Sequence, residues 1–169
     1  MRKFELTIDG QRAEAQEGVN LLDAALDAGI YIPNLCHHPD LKPLGACNLC
    51  LVEIEGRDGI VPSCTIPAEA GMVVHTNTEA VKRMRRLSME LMLADHPNDC
   101  SSCKRYGNCP MQSLIQYVGA GDRLRKFTNN TPENLSHPLF IRDPHRCIKC
   151  GRCVRVCRDV RGVKAIDYY

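Results

Sequence analysis

Eleven of the 169 residues are cysteine, and their spacing sorts them into three groups. The first is Cys36-x10-Cys47-x2-Cys50-x13-Cys64. Four soft thiolates suit the irons of a [2Fe–2S] site, although the interval before the Cys-x2-Cys step is longer than in plant-type sites. The short step lets Cys47 and Cys50 reach one iron, leaving Cys36 and Cys64 for the other. Gly45, Ala46 and Asn48 are small enough to let backbone N–H groups approach bridging sulfides. A structural zinc site stays open as the alternative, but the spacing lacks two matched Cys-x2-Cys knuckles. His37 and His38 follow Cys36 directly and read as loop residues rather than ligands.

The second group is Cys100-x2-Cys103-x5-Cys109, preceded by His96. Three cysteines leave one corner of a four-iron cube without a ligand. His96 stands just past a helix end, with three residues between it and Cys100, and is spaced to supply the fourth. A histidine ligand removes one negative charge relative to cysteine, which raises the reduction potential, as in Rieske centres. Zinc held by three cysteines and one histidine is chemically legal here. The third group, Cys147-x2-Cys150-x2-Cys153-x3-Cys157, is the bacterial [4Fe–4S] run. In two-cluster ferredoxins its fourth cysteine serves the other cluster. The proline usual after it is Arg158 here, and no second run follows before Tyr169. The third [4Fe–4S] site is therefore expected to be incomplete, or to be closed by a partner, an unusual ligand or further chain.

These groups need elements to hold them. Phe4, Leu6 and Ile8 alternate with polar residues as in a half-buried strand, and Asp9-Gly10 predicts a tight turn into a return strand over Gln11–Ala15. Asn20 can cap a helix carrying Leu21, Leu22, Ala25, Leu26 and Ala28, ended by Gly29. Further strands are expected over Ile30–Ile32, Leu51–Glu55 and Met72–Thr76. Two strands, a helix, then strands around a cysteine loop point to a β-grasp ferredoxin. Thr78 can cap a helix from Glu79 to about Ala94, with Val81, Met84, Leu87 or Ser88, and Leu91 as its core stripe. Lys82, Arg83, Arg85 and Arg86 fall on its expected solvent face. Pro110 can open another helix with Leu114, Ile115 and Val118 inward. Gly119–Asp143 reads as a connector. The expected class is α+β: a β-grasp [2Fe–2S] domain over 1–78, a small helical [4Fe–4S] domain with one histidine and three cysteine ligands plus connector over 79–143, and the first half of a 4Fe–4S ferredoxin-like domain over 144–169.

Composition narrows the class further. There is no Trp and aromatics are 5%, so the apolar core is thin and something else must staple the fold. No apolar run approaches the ~18 residues that span a bilayer, and the N-terminus lacks the apolar stretch of a signal peptide. Thiols without an export signal belong in a reducing compartment, and the cytoplasm is expected. The net charge of +2 hides an asymmetry, with 5 Lys+Arg against 11 Asp+Glu over 1–78, and 17 against 9 over 79–169. No nucleic-acid partner is expected from the basic half. Arg146, Lys149, Arg152, Arg155, Arg158, Arg161 and Lys164 stand among or just beyond the last cysteines, where cationic side chains stabilise the negative charge of thiolate-bound iron.

The order of the motifs resembles one family. Asn34-Leu35-Cys36, Gly45-Ala46-Cys47-Asn48-Leu49-Cys50, Asp95-His96-Pro97-Asn98-Asp99-Cys100, Gly107-Asn108-Cys109 and Arg146-Cys147-Ile148-Lys149-Cys150-Gly151-Arg152-Cys153 carry the likeness. It is to the N-terminal iron–sulfur region shared by the large iron–sulfur subunit of respiratory complex I, [FeFe]-hydrogenases, NAD-linked formate dehydrogenases, the diaphorase iron–sulfur subunit of soluble [NiFe]-hydrogenases and electron-bifurcating transhydrogenases. The resemblance implies an electron-transfer subunit of a multi-subunit NAD(P)-linked oxidoreductase. It further implies a flavoprotein NAD(P)H-oxidising partner and other iron–sulfur subunits. No glycine-rich dinucleotide fingerprint, Walker motif or nucleophile–base pair gives this chain substrate chemistry of its own. The alternatives are the leading part of a larger catalytic enzyme or complex I subunit, and a zinc-stabilised binding module.

Overall fold

A computed structural model describes residues 2–97, 99–121, 139 and 143–167. The chain divides into two compact units, residues 1–85 with 150–169, and residues 86–149. The architecture is mixed α+β.

The first unit is built on a five-stranded sheet. Strands β1 (Lys3–Ile8) and β2 (Gln11–Gln16) form an antiparallel hairpin in which Ile8 faces Gln11. Asp9 and Gly10 both take positive φ, 50° and 79°, the conformation that a two-residue hairpin turn demands. Strands β3 (Leu51–Ile54), β4 (Ile60–Pro62) and β5 (Val73–His75) complete the sheet in the order β2-β1-β5-β3-β4. The β1–β5 pair is parallel; β5 and β4 both run antiparallel to β3. The Asp9 carboxylate fixes the far end of β5 by accepting from the Thr76 amide at 2.7 Å and from the Thr76 hydroxyl.

Helix α1 (Leu21–Asp27) lies against this sheet. The Asn20 side chain accepts from the Asp23 amide at 2.9 Å, satisfying one donor of the first turn. Leu21 and Leu22 are fully buried with Leu6, Ile8, Val52 and Val74. Burying each such leucine contributes about 1.5–3 kcal/mol. The strand expected over Ile30–Ile32 does not form. Ile32 is fully buried, but its segment has no ladder partner, so its apolar character serves the core and not the sheet. Strand β4 is an addition that the residue pattern of its three positions does not announce.

Helix α2 (Glu79–Ala94) starts and ends where the sequence places it, with the Thr78 hydroxyl accepting from the Val81 amide at 3.2 Å. Its expected inner stripe holds at Val81 and fails beyond it. Met84, Leu87 and Leu91 are 40%, 43% and 52% exposed, whereas Val81, Arg85, Met89 and Leu93 are buried in a row of four-residue steps. Arg85 is thus on the inner face, not the solvent face. Its aliphatic stem fills a core position and its guanidinium donates to the Leu51 carbonyl at 2.6 Å.

In the second unit, helix α3 (Pro110–Val118) begins with Pro110 in its first turn and ends at Gly119, whose φ of 66° closes the helix against the Ile115 carbonyl. Met111 and Leu114 are its buried residues. Most of the expected connector Gly119–Asp143 lies outside the described residues. Helix α4 (Arg152–Arg155), continued by a π-type turn over Val156–Val160, belongs again to the first unit.

Candidate metal centres

Cys36, Cys47, Cys50 and Cys64 are all free thiols and all buried, Cys50 and Cys64 within the hydrophobic core itself. Each is placed by a different local device. Cys36 enters the loop after Leu35, and His37 anchors that loop, with Nε2 2.7 Å from an Asp23 oxygen of α1. Gly45 has φ +67°, which favours glycine, and a Cβ there would stand a tight 3.1 Å from the Thr65 side chain. Asn48 also takes positive φ. Cys50 leads into β3, and Cys64 sits in a 3-10 turn over Ser63–Thr65. Ser63 ties the two together, its hydroxyl and its amide both donating to the Cys50 carbonyl at 2.8 and 2.9 Å.

The sulfur contacts run between Cys36 and Cys47, and between Cys50 and Cys64. Spacing alone would put Cys47 with Cys50 and Cys36 with Cys64; these contacts run otherwise. Cys47 thus meets a thiol earlier in the chain and Cys50 one later. The Cys47 thiol beside it holds Cys36 down at about 5, helped by the Cys47 and Ala46 amides and opposed by burial. Cys47 is pushed up, by Cys36 and then by burial. Cys64 likewise holds Cys50 down at about 7 and is itself pushed up. Four buried sulfurs, paired two by two and met by backbone amides, fit the terminal ligands of two irons.

The second unit gathers its residues differently. His96, Cys100, Cys103 and Cys109 line one cavity of about 700 Å³. His96 follows α2, its amide donating to the Leu93 carbonyl at 3.2 Å. Its Nδ1 lies 2.8 Å from the Pro97 carbonyl. A carbonyl only accepts, so Nδ1 carries the proton and the lone pair is on Nε2, the arrangement usual for a histidine ligand. Cys100 opens a 3-10 turn over Cys100–Ser102, and Cys109 caps α3. Arg146 donates to Asp99 at 2.9 Å and stands beside Cys103; these two, Cys103 foremost, hold its guanidinium above the usual range. Ser102, then Arg146, hold the Asp99 carboxyl below its usual range. The donor set and the room fit a four-iron cube.

The division between units falls inside the third run. Cys147, in the second unit, is exposed and accepts from the Lys149 amide at 3.4 Å, with Lys149 at positive φ. Cys150, Cys153 and Cys157 belong to the first unit, half-buried, exposed and half-buried in turn. Cys157 Sγ accepts from the Ala165 amide at 3.2 Å. Among the described residues, no three His, Cys, Asp or Glu side chains converge as ligands of a single metal ion. Sequence reasoning missed Arg85 and Arg155 as neighbours of the first site. Both are long-range contacts with no local signal.

Comparison with known proteins agrees with three cluster-binding segments. Residues 1–79 match the 2Fe-2S iron-sulfur cluster binding domain, residues 85–123 the NADH-ubiquinone oxidoreductase-G iron-sulfur binding region, and residues 140–159 the 4Fe-4S binding domain. An NADH-quinone oxidoreductase subunit of Rhizobium meliloti is 39% identical over 166 residues, which are 96% of this chain and 20% of that protein. The NADPH-Fe(3+) oxidoreductase subunit alpha of Geobacter sulfurreducens is 39% identical over 162 residues, 95% of this chain and 19% of that protein. The chain thus spans about a fifth of the length of these curated relatives. A chain in a crystal structure of NAD+-reducing [NiFe]-hydrogenase in the H2-reduced state superposes with a TM-score of 0.88 at 36% identity, over 97% of this chain and 69% of that one. Among the described residues no helix is long and apolar enough to cross a membrane. Binding domains for 2Fe–2S and 4Fe–4S clusters in this order, with that degree of identity, make the chain a member of the iron–sulfur family whose shared region is found in NADH-quinone oxidoreductases and in the NAD+-reducing [NiFe]-hydrogenase.

Proposed function

We propose that the chain relays single electrons within an NAD(P)-linked oxidoreductase, between a flavoprotein subunit that oxidises NAD(P)H and another redox site. Its segments are a β-grasp [2Fe–2S] domain over 1–78, a [4Fe–4S] domain with one histidine and three cysteine ligands over 79–143, and half of a ferredoxin-like domain over 144–169. The carrying observation is that His96, Cys100, Cys103 and Cys109 line one cavity, in a chain that also buries four paired cysteines. Two cluster sites in one chain support a relay.

Bound clusters supply the one-electron redox chemistry, and the chain sets their surroundings. Cys36 with Cys47 would hold one iron of the [2Fe–2S] site, and Cys50 with Cys64 the other. Their burial excludes water, and amides of the 45–49 loop donate to the sulfurs. The Pro97 carbonyl keeps the His96 proton on Nδ1, so that Nε2 binds iron. Arg146 places positive charge beside Cys103. Cys147, Cys150 and Cys153 would hold three corners of a further [4Fe–4S] site, and Cys157 would serve a site completed from outside these residues.

The test is iron and sulfide per chain after anaerobic purification, with EPR of the reduced protein. About six irons corresponds to the first two sites and about ten to all three. Fewer than two irons with bound zinc would overturn the relay. The same residues could serve as the leading part of a longer subunit, and the mass of the native gene product distinguishes that case.

A further inference from the structure

Arg155 stands in the third cysteine run, two residues after Cys153 and two before Cys157. Its side chain goes elsewhere. It is 3% exposed, its Nη1 donates to the Lys42 carbonyl at 2.8 Å, and its Nη2 donates to the Cys36 carbonyl. Those acceptors lie 113 and 119 residues away in sequence. Its Nε is buried with no hydrogen-bond partner among the described residues. The nearby carboxylate of Asp159 is engaged by Arg158, at 2.7 Å.

A buried guanidinium costs several kcal/mol, roughly, unless an opposite charge faces it. Two carbonyl dipoles meet part of that demand. Opposite charge reaches it from two sides, since Arg155 acts attractively on the Cys36 thiolate and on the Asp159 carboxylate that Arg158 already engages. Thiolate-ligated iron carries net negative charge, and one more electron adds to it. A fixed positive charge on the Cys36 loop stabilises the reduced state more than the oxidised one.

We propose that Arg155 is the positioning and charge-compensating residue of the [2Fe–2S] site: it holds the loop carrying Cys36 and raises the potential of the cluster there. This rests on the reading that Cys36, Cys47, Cys50 and Cys64 bind a [2Fe–2S] cluster. It assigns to the first site a cation whose sequence position points to the third.

The test is an EPR-monitored titration of the full chain with dithionite and redox mediators. Arg155→Gln is expected to lower the [2Fe–2S] midpoint by at least a tenfold change in the one-electron equilibrium, about 59 mV. The signal of the His96 site should not move. Arg155→Lys, which keeps the charge, should recover at least half the shift. An unchanged midpoint in Arg155→Gln at full occupancy, or equal shifts in both variants, overturns the proposal. A wild-type chain with no [2Fe–2S] signal overturns the four-cysteine reading, and the proposal with it. Should Arg155→Gln load no cluster, amide exchange of the iron-free full chains decides. Faster exchange over residues 36–42 with β1 unchanged supports the role, and equal exchange overturns it.

Discussion

The two cluster sites solve one problem in opposite ways. In the first unit the cysteines are part of the hydrophobic core, with Cys50 and Cys64 packed among Leu21, Val52 and Val74. A sheet, a helix and several backbone hydrogen bonds surround them there. In the second unit Cys100, Cys103 and Cys109 are only half-buried, around a cavity of about 700 Å³. Its buried apolar residues are few, Met89, Leu93, Ala94, Met111 and Leu114 among them. The lesson is that the thin apolar composition is unevenly shared: one candidate site sits within a core, and the other beside a much smaller one.

Iron removal should bring out this contrast most visibly. With a chelator under reducing conditions, amides of α3 should lose nearly all protection from exchange while β1 and β3 keep most of theirs. Equal loss in both units would end the comparison. Core truncation comes next. Leu22→Ala should cost about 3 kcal/mol in denaturant unfolding with or without iron. Leu114→Ala should cost a similar amount only in the loaded protein, because without the cluster its helix has little packing left to lose. His96→Cys should keep a [4Fe–4S] signal and lower its potential, and His96→Ala should lose the cluster. An intact cluster in the alanine variant would remove His96 from the ligand set. Smallest is Asn20→Ala, expected to cost about 1 kcal/mol in thermal unfolding through the lost cap. It should act on the first unit alone.

Much of this was legible in the sequence, for local reasons. Asp9-Gly10 between alternating strands, Thr78 before a helix, and Pro110 with Gly119 at the ends of another each encode structure within a few residues. Ligand spacing is likewise a local property, and the cysteine groups were read from it. What failed was everything set by distant partners. Spacing could not say which sulfur meets which, because the 36–50 loop reverses. Counting apolar residues on α2 chose the wrong face, because Arg85 occupies a core position with its stem while its head finds the Leu51 carbonyl. Ile30–Ile32 has strand-like residues but no neighbour to pair with. Arg155 sits among the last cysteines yet meets a carbonyl 119 residues earlier.

That return has a kinetic consequence. The β1–β2 hairpin and α1 close over short loops and can form early. The segment 150–167 reaches the same unit only by closing a loop of 119 residues, whose length-dependent entropy is roughly 4 kcal/mol. Such non-local contacts form late. The loop of Cys36 is therefore framed before Arg155 arrives, and the two hydrogen bonds that tie it to α4 are among the latest of that unit to close.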